Sequence, residues 1–389
     1  MSCVLPFINL EARTDGTMAV CCIMQESAKK EDGTEYNLAN GDTLSDVKNS
    51  KWLSALQQKF LNNEKLDACK NCWHEEEAGI QSKRLRENLY WGENFTPGIK
   101  ALDLKLGNIC NSKCRICSSF ASSQWAAEEL KINPESQNAK KFNKLGMWPK
   151  TNENFWQDID THLAEVKKLE FFGGEPLMIE RHFEILERCV DLNIAKDITL
   201  AYNTNGSIFP QDKIELWEKF KKVEIFVSID DISERFEYIR FPGNFAEVIT
   251  NLANFDKLNK DIFDIGIFQT ISVFNIMHMN ELTSFINRHF SDVDIHYNMV
   301  FTPSHISPKV LPKRVKEKIT AIYGDDPAEH VTKTLKFMNG EDYEQNEWIN
   351  FLMQTKQIDK FRKDQFEKVF PEFYKLIKKD WDSVNKEVL

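Results

Sequence analysis

Three cysteines stand at short, regular spacing in the chain, as Cys110-x3-Cys114-x2-Cys117. Three thiolates at this spacing can wrap a cubane iron–sulfur cluster and ligate three of its irons, which leaves the fourth iron open. An open coordination position distinguishes a catalytic metal site from a structural one. Zinc is the alternative, although it favours a fourth cysteine or histidine nearby, and no histidine occurs between His74 and His162. The spacing favours iron–sulfur over zinc and leaves both open.

The remaining cysteines also fall into groups, because all but Cys189 lie in the first 117 residues. The N-terminus lacks the basic and apolar regions of a secretory signal, so we expect a cytoplasmic, reducing compartment. Cysteines there need a purpose other than disulfides, and groups at short spacing are typical of metal ligands. The thiol of Cys189 sits at core spacing on a predicted helix, which indicates a packed side chain.

Composition narrows the partners. The 389 residues carry a net charge of −10, with 42% apolar and 28% charged residues, as in an ordinary globular protein. The acidic balance disfavours a nucleic-acid partner. The short basic run Lys83, Arg84 and Arg86 is expected to be a solvated helix face. No apolar stretch is long enough to span a membrane, so no membrane partner is expected.

The elements that must position these cysteines alternate regularly from about residue 100. Short apolar runs that predict strands are separated by segments of helical period, which argues for a parallel sheet of right-handed βαβ units. The motif-like loops follow the carboxyl ends of strands, where parallel sheets and barrels place their active sites. The predicted strands are 101–107, 168–172, 197–202, 223–229, 265–273 and 293–300.

A glycine-rich run, Gly173-Gly174-Glu175-Pro176, follows the second of these strands. Together with C-x3-C-x2-C after the first strand and the six-strand series, it resembles the radical S-adenosylmethionine superfamily over roughly residues 98–305. The resemblance implies a partial (β/α)6 barrel, in which the open iron of a [4Fe–4S] cluster chelates S-adenosylmethionine. One electron from the cluster then cleaves that cofactor to methionine and a 5′-deoxyadenosyl radical, which abstracts a substrate hydrogen.

The resemblance also implies roles for single residues around the cofactor. Glycines permit close backbone approach and a carboxylate suits an ammonium group, so Gly173, Gly174 and Glu175 are expected to hold the methionine amino group. Further contacts, with the ribose and the carboxylate of the cofactor, are expected from Asn205, Ser228, Asp230 and Arg240. Loop capping is the alternative for the first three, and a surface ion pair is the alternative for Arg240. Where the family usually has an aromatic residue before the third cysteine, this chain has Ile116, which can still pack on adenine.

The N-terminal cysteines resemble the auxiliary-cluster modules called SPASM and twitch. Cys3, then Gly16-x4-Cys21, then Cys69-x2-Cys72 follow their spacing, although the module here precedes the barrel. The resemblance implies a second, auxiliary [4Fe–4S] cluster. Four thiolates would saturate it, so electron transfer is its expected role. A zinc knuckle with four cysteine ligands is the alternative, and Cys22 is either a buried neighbour or an alternate ligand to Cys21.

We therefore expect three parts: an auxiliary-cluster module (1–97), a radical S-adenosylmethionine barrel (98–305) and a helical extension (306–389). In the extension, an apolar stripe around Phe366 and Phe370 predicts a packing face. The expected activity is oxidative modification of a peptide, a protein or a small molecule, supported by an external flavodoxin-like or ferredoxin-like electron donor. A redox-neutral epimerase and a zinc-stabilised, non-catalytic interaction protein are the alternatives.

Overall fold

The computed structural model describes residues 2–92, 95–145, 148, 152–324, 326–340 and 345–384. Its strands are β1 (Asn9–Ala12), β2 (Met18–Ala19), β3 (Ala101–Leu104), β4 (Lys168–Phe171), β5 (Thr199–Thr204), β6 (Lys222–Ser228), β7 (Phe263–Ile271) and β8 (Asp294–Met299). They form one sheet in the order β2-β1-β3-β4-β5-β6-β7-β8. Only the β1–β2 pair is antiparallel.

The α-helices of the first half precede and connect these strands. They are α1 (Leu5–Ile8), α2 (Leu44–Lys48), α3 (Lys51–Leu61), α4 (Lys70–Glu77), α5 (Lys83–Trp91), α6 (Ser123–Ile132), α7 (Gln137–Phe142), α8 (Glu153–Leu163) and α9 (Arg181–Asp191). Those of the second half are α10 (Ile214–Trp217), α11 (Ser233–Ile239), α12 (Phe245–Asp256), α13 (Met279–His289), α14 (Lys313–Tyr323), α15 (Glu329–Met338), α16 (Gln345–Arg362), α17 (Phe366–Val369) and α18 (Pro371–Ser383).

The two faces of the sheet differ sharply in polarity. Strands β3 to β8 are neighbours in chain order, and right-handed crossovers of this kind put the connecting helices on one face. That face is apolar and buried, as Val223, Ile225 and Val227 of β6 illustrate. The opposite face, called the inner face below, carries an ion network that includes Glu11, Asp103, Glu170 and Glu224. The sheet does not close, so the predicted α/β partial barrel is confirmed.

The N-terminal region contributes two strands that the sequence did not predict. Strand β1 pairs with β3 in parallel register, from Asn9 opposite Ala101 to Ala12 opposite Leu104. Side chains of this region, among them Ile8 and Leu10, belong to the same hydrophobic core as the barrel strands. The N-terminal module thus shares a sheet and a core with the barrel, and the domain boundaries above stay a prediction.

Helix α5 shows that the expectation of a solvated basic run was wrong for two of its three residues. Lys83 is buried and its Nζ lies 3.2 Å from Oε2 of Glu170 on the inner face. Arg84 donates to Glu76 and to the carbonyl of Ser2. Only Arg86 is half-exposed as expected. The helix therefore lies against the inner face at β4, because buried carboxylates there pair with its lysine.

The C-terminal helices pack around a second hydrophobic core. Phe366, Phe370, Phe373 and Ile377 are each at most 1% exposed within it, which confirms the predicted packing face. Residues at the ends of β7 and β8, such as Ile271 and Met299, join the same core. The extension is thereby fixed to the carboxyl-terminal edge of the sheet. Among the helices described, none is long and apolar enough to cross a membrane.

Candidate functional site

The loop that follows β3 carries Cys110, Cys114 and Cys117. Two backbone hydrogen bonds hold it against the segment after α11: Lys113 N donates to Phe241 O at 2.8 Å, and Arg115 N donates to Ile239 O at 2.7 Å. Cys117 N donates to Cys114 O at 3.0 Å and closes a turn between the last two cysteines. The loop is thus shaped by backbone contacts on both sides of Cys114.

Cys110 and Cys114 are buried and Cys117 is partly buried. Burial and, next, the neighbouring Cys114 raise the pKa of Cys117 to about 12. Burial and Cys114 likewise raise the pKa of Cys110 well above its usual range. Thiolates here need a cation to offset both effects, and thiolates are the form that ligates metals. The arrangement suits ligands of a bound metal group better than reactive free thiols.

The glycine-rich run packs directly on this loop. Gly173 and Gly174 have φ of +80° and +62°, a conformation that favours glycine. A Cβ on Gly174 would lie 2.4 Å from the carbonyl oxygen of Ile109, the residue before Cys110. Glu175 N donates to the same oxygen at 2.7 Å. The run and the cysteine loop therefore form one continuous surface at the ends of β3 and β4.

The side chain of Glu175 is placed differently from the expected ammonium acceptor. It is fully buried, and its oxygens accept from Leu177 N (3.2 Å), Thr204 Oγ1 (2.8 Å) and Asn205 N (2.7 Å). Burial raises the pKa of Glu175 to about 7, while these hydrogen bonds lower it. The carboxylate joins the loops after β4 and β5, so the backbone of the run is the part left to meet a ligand.

Asn205 connects the loop after β5 to the cysteine loop. Its Nδ2 donates to Asn111 Oδ1 at 2.7 Å and to Ser112 Oγ at 3.2 Å, and its Oδ1 accepts from Ser207 N at 2.9 Å. The structure thus brings this predicted residue to the site, where it supports the loop between Cys110 and Cys114.

Asp230 and Arg240 form a buried ion pair, not a surface one. Arg240 Nε donates to Asp230 Oδ2 at 2.7 Å, and Asp230 Oδ1 accepts from Thr270 N at 2.9 Å. Burial raises the pKa of Cys114, and the charge of Arg240 lowers it most among the neighbouring groups. Arg240 therefore places a positive charge beside the cysteine loop, while Asp230 is occupied by protein donors.

The two remaining predicted contacts lie at the rim of this region. Ser228 ends β6 and is half-buried on the inner face, on the same side as Glu224. Ile116 is half-buried and packs against the core formed by the C-terminal helices. Neither position contradicts the expected roles, which stay predictions.

The four N-terminal cysteines that the sequence grouped are brought together around one cavity. Cys3, Cys21, Cys69 and Cys72 line it, with an otherwise largely apolar wall that also includes Lys83 and Arg84. Burial is the largest cause that raises the pKa of Cys3 to about 12, and the nearby Cys69 and Cys72 contribute to this rise. Gly16, at φ +82°, turns the β1–β2 hairpin that delivers Cys21. Residues separated by more than sixty positions thus face one space.

Cys22 points away from that cavity. Its side chain is exposed, and it is not among the residues that line the cavity. Among the charged groups that act on its thiol, Lys83 and Asp103 act most strongly. Cys21 is therefore the better placed of the two for the cavity, and Cys189 is fully buried in the core.

The cysteine thiols match the donor set of iron–sulfur clusters. Among the described residues, no three His, Cys, Asp or Glu side chains converge closely enough to hold a single metal ion. A cubane cluster distributes its thiolate ligands around several irons instead of one. Three thiols along one loop and four around one cavity fit that donor set.

Several contacts at the cysteine loop were not anticipated from sequence. Arg115, within the loop, donates to Asp359 in α16 at 2.6 Å and to Asp364, just after α16, at 2.8 Å. Arg362 donates to Lys113 O at 2.7 Å and to Glu128 at 2.8 Å. These partners lie more than two hundred residues apart, and no sequence pattern links them.

Comparison with known proteins agrees with this geometry. A family model described as the Radical SAM superfamily matches residues 104–283. No curated protein matches the chain. Similar solved structures include native anSMEcpe with bound AdoMet (15% identity, TM-score 0.37, 67% of this chain and 60% of that one) and Streptococcus suis SuiB (14%, 0.35, 76% and 64%). A third is TYW1 with a lysine-pyruvate adduct bound (17%, 0.28, 56% and 70%).

The chain spans about 60% of the length of the first of these structures. Its matched segment begins at Leu104, the last residue of β3, and ends within α13, so it contains both the cysteine loop and the glycine-rich run. Residues 104–283, slightly less than half of this chain, are thus similar to the radical SAM superfamily.

Proposed function

We propose that this protein is an enzyme that uses a [4Fe–4S] cluster at Cys110, Cys114 and Cys117 to cleave S-adenosylmethionine and abstract a hydrogen atom from a substrate. The cluster, when bound, supplies the electron that breaks the sulfonium bond and yields methionine and a 5′-deoxyadenosyl radical. The observation that carries the proposal is the direct contact of the glycine-rich run with the residue before Cys110, because it puts cluster ligands and a ligand-binding backbone on one surface.

The residues of the chain would divide the recognition of the cofactor among them. The backbone carbonyls of Gly173, Gly174 and Glu175 would accept hydrogen bonds from the methionine ammonium, since the Glu175 carboxylate already accepts from donors of the protein. Arg240 uses Nε for Asp230, and we assign its Nη groups to the methionine carboxylate. Ser228 and Asn205 are assigned to the ribose side, with Asp230 acting through Arg240 and Ile116 packing on adenine.

We further propose an auxiliary [4Fe–4S] cluster in the cavity of Cys3, Cys21, Cys69 and Cys72. It would serve a net oxidation. A net oxidation removes a hydrogen atom from the substrate and then a proton, which would pass to water, and one electron. The four thiols would hold a cluster that could take up that electron. An external flavodoxin-like or ferredoxin-like donor would supply the electron for the first step. The proposed substrate is a peptide, a protein or a small molecule.

The first experiment measures cofactor cleavage. Anaerobically purified, reconstituted and reduced protein is incubated with S-adenosylmethionine, and we expect 5′-deoxyadenosine to form. Cys117→Ala should lose that product because a ligand to the cluster is gone, whereas Cys22→Ala, which removes an exposed thiol outside the loop, should keep it. A colourless wild-type protein with stoichiometric zinc and no 5′-deoxyadenosine would establish the zinc-stabilised, non-catalytic alternative instead.

A second experiment separates Cys21 from Cys22 as the auxiliary ligand. Because Cys21 lines the cavity and Cys22 does not, Cys21→Ala should lower iron and sulfide per chain by about half, while Cys22→Ala should leave both unchanged. Cofactor cleavage in Cys21→Ala should persist if the two clusters are separate. Equal iron loss in both variants would contradict this assignment.

The exposure of Cys22 supports a second candidate function, a redox-neutral epimerase. An epimerase needs a hydrogen-atom donor, and between the two spare cysteines only Cys22 is exposed, since Cys189 is buried in the core. In that case the product would gain one deuterium from D2O without net oxidation, and Cys22→Ala would abolish product but not cofactor cleavage. The oxidative proposal predicts an oxidised product that Cys22→Ala still forms.

A further inference from the structure

Arg362, at the end of α16, reaches the cysteine loop from the C-terminal extension. Its side chain is 1% exposed. Nη2 donates to the carbonyl of Lys113, the residue before Cys114, at 2.7 Å, and Nε donates to Glu128 Oε1 at 2.8 Å. The guanidinium lies over the rings of Trp125 and Phe241, at 5.4 and 4.7 Å from their centroids. Packing and hydrogen bonds thus hold the guanidinium of Arg362 in one position.

One nitrogen of that fixed guanidinium is left over. Arg362 Nη1 is buried and has no hydrogen-bond partner within the described part of the chain. A buried N–H group without a partner is costly, so a native protein normally provides an acceptor. The positive charge of Arg362 also acts on the Cys114 thiol. An acceptor on the cysteine-loop side would satisfy the free nitrogen.

A second arginine ties the same loop to the same extension. Arg115 lies within the loop, and its Nη2 pairs with Asp359 and Asp364. Asp359 also accepts from Tyr238 Oη at 2.7 Å and from Phe366 N at 2.8 Å. The end of α16 is therefore anchored independently of Arg362, so loss of the Arg362 side chain should leave the extension in place.

We propose that Arg362 is a positioning residue of the cysteine loop, and that it holds the Lys113 carbonyl and sets a positive charge with a free N–H group beside Cys114, which raises the reduction potential of the cluster bound there. The inference rests on the proposed function. Charges and hydrogen bonds at the thiolate sulfurs are established determinants of cluster potential. A positive charge stabilises the reduced cluster, because reduction adds a negative charge.

The charged groups around Arg362 predict opposite effects for two variants. Arg362→Gln removes a positive charge, so the potential should become more negative. Glu128→Gln removes the carboxylate that partly neutralises Arg362 and also Lys113, so the potential should become more positive. Arg362→Lys keeps the charge and should lie near the wild type. Arg314→Gln, which breaks an exposed arginine–aspartate pair elsewhere in the extension, is the matched control and should not shift it.

The test is an EPR-monitored redox titration of full-length, reconstituted protein, following the signal that changes on addition of S-adenosylmethionine. Opposite shifts in Arg362→Gln and Glu128→Gln support the inference. Shifts in the same direction, or none in either variant, overturn it, since a loosened loop would affect both alike. If Arg362→Gln fails to fold, Glu128→Gln and Arg362→Lys still decide the outcome. A wild type without any iron–sulfur cluster would instead refute the proposed function itself.

Discussion

Glu175 shows how the surroundings of a motif residue can differ from those that its sequence context predicts. The motif placed it at the site, and the structure buries its carboxylate between the loops after β4 and β5. Sequence alone cannot assign which acceptors a carboxylate will face, because Thr204 and Asn205 lie thirty residues away along the chain. The same holds for Arg240, whose buried partner Asp230 becomes evident only in three dimensions.

Glu175→Gln should destabilise the protein. The carboxylate accepts from three donors, and the glutamine amide would turn a donor towards at least one of them, leaving a buried N–H group unsatisfied at a cost of about 1–3 kcal/mol. Urea unfolding at matched iron content measures the loss. Glu180→Gln, at an exposed position, is the control and should change the free energy of unfolding by less than about 0.5 kcal/mol.

The same pair of variants tests the pKa of Glu175. Burial raises that pKa from 4.5 to about 7, so the folded state binds more protons than the unfolded state between these values. Stability contributed by this group is therefore lost as the pH rises through that window. Glutamine does not titrate, so the stability difference between wild type and Glu175→Gln should shrink from about pH 5 to about pH 8. A difference that grows with pH would contradict the raised pKa.

At the scale of elements, periodicity located the strands from β3 to β8 and most of the helices between them, because buried apolar faces repeat at the periods of strand and helix. It missed β1, β2, α7 and α11, and the basic run in α5 was misread. Strand β1 has only the four residues Asn9–Ala12, so its alternation of polar and apolar residues is too short to distinguish it from a loop. From sequence, Lys83 of α5 is expected at the surface. In the structure it is buried because it pairs with Glu170 of β4. Both features depend on partners far along the chain.

At the scale of the whole molecule, the cysteine-rich N-terminal region and the barrel are joined by a shared sheet. Strand β1 pairs with β3 over four register positions, and Lys105 Nζ, after β3, lies 2.5 Å from Oε1 of Glu11 in β1. The C-terminal extension holds the cysteine loop from the opposite end of the chain through Arg115 and Arg362. The cysteine loop is thus held by contacts that cross the predicted boundary at residue 305, whereas the residues that line the N-terminal cavity all lie within 1–97.

Deleting residues 1–97 should therefore unfold the barrel and should not yield a separately folded fragment. The deletion turns β3 into an edge strand that pairs with β4 alone, which favours aggregation. It also removes core side chains such as Val4, Ile8 and Leu10, each at most 2% exposed. Burying each such side chain contributes about 1.5–3 kcal/mol, and several of them together approach the whole stability of a typical domain, about 5–15 kcal/mol. We expect the fragment 98–389 to be insoluble or to lack a cooperative unfolding transition by circular dichroism.

The double variant Cys69→Ala/Cys72→Ala is the matched control for that deletion. It removes two proposed cluster ligands but keeps β1, β2 and the shared core, so it should stay soluble and unfold cooperatively while its iron content falls. If the fragment 98–389 proved soluble, cooperative and able to bind iron at Cys110, Cys114 and Cys117, the N-terminal region would be a separable domain. The shared sheet would then contribute little to the barrel, contrary to the pairing and burial that connect Asn9–Ala12 to Ala101–Leu104.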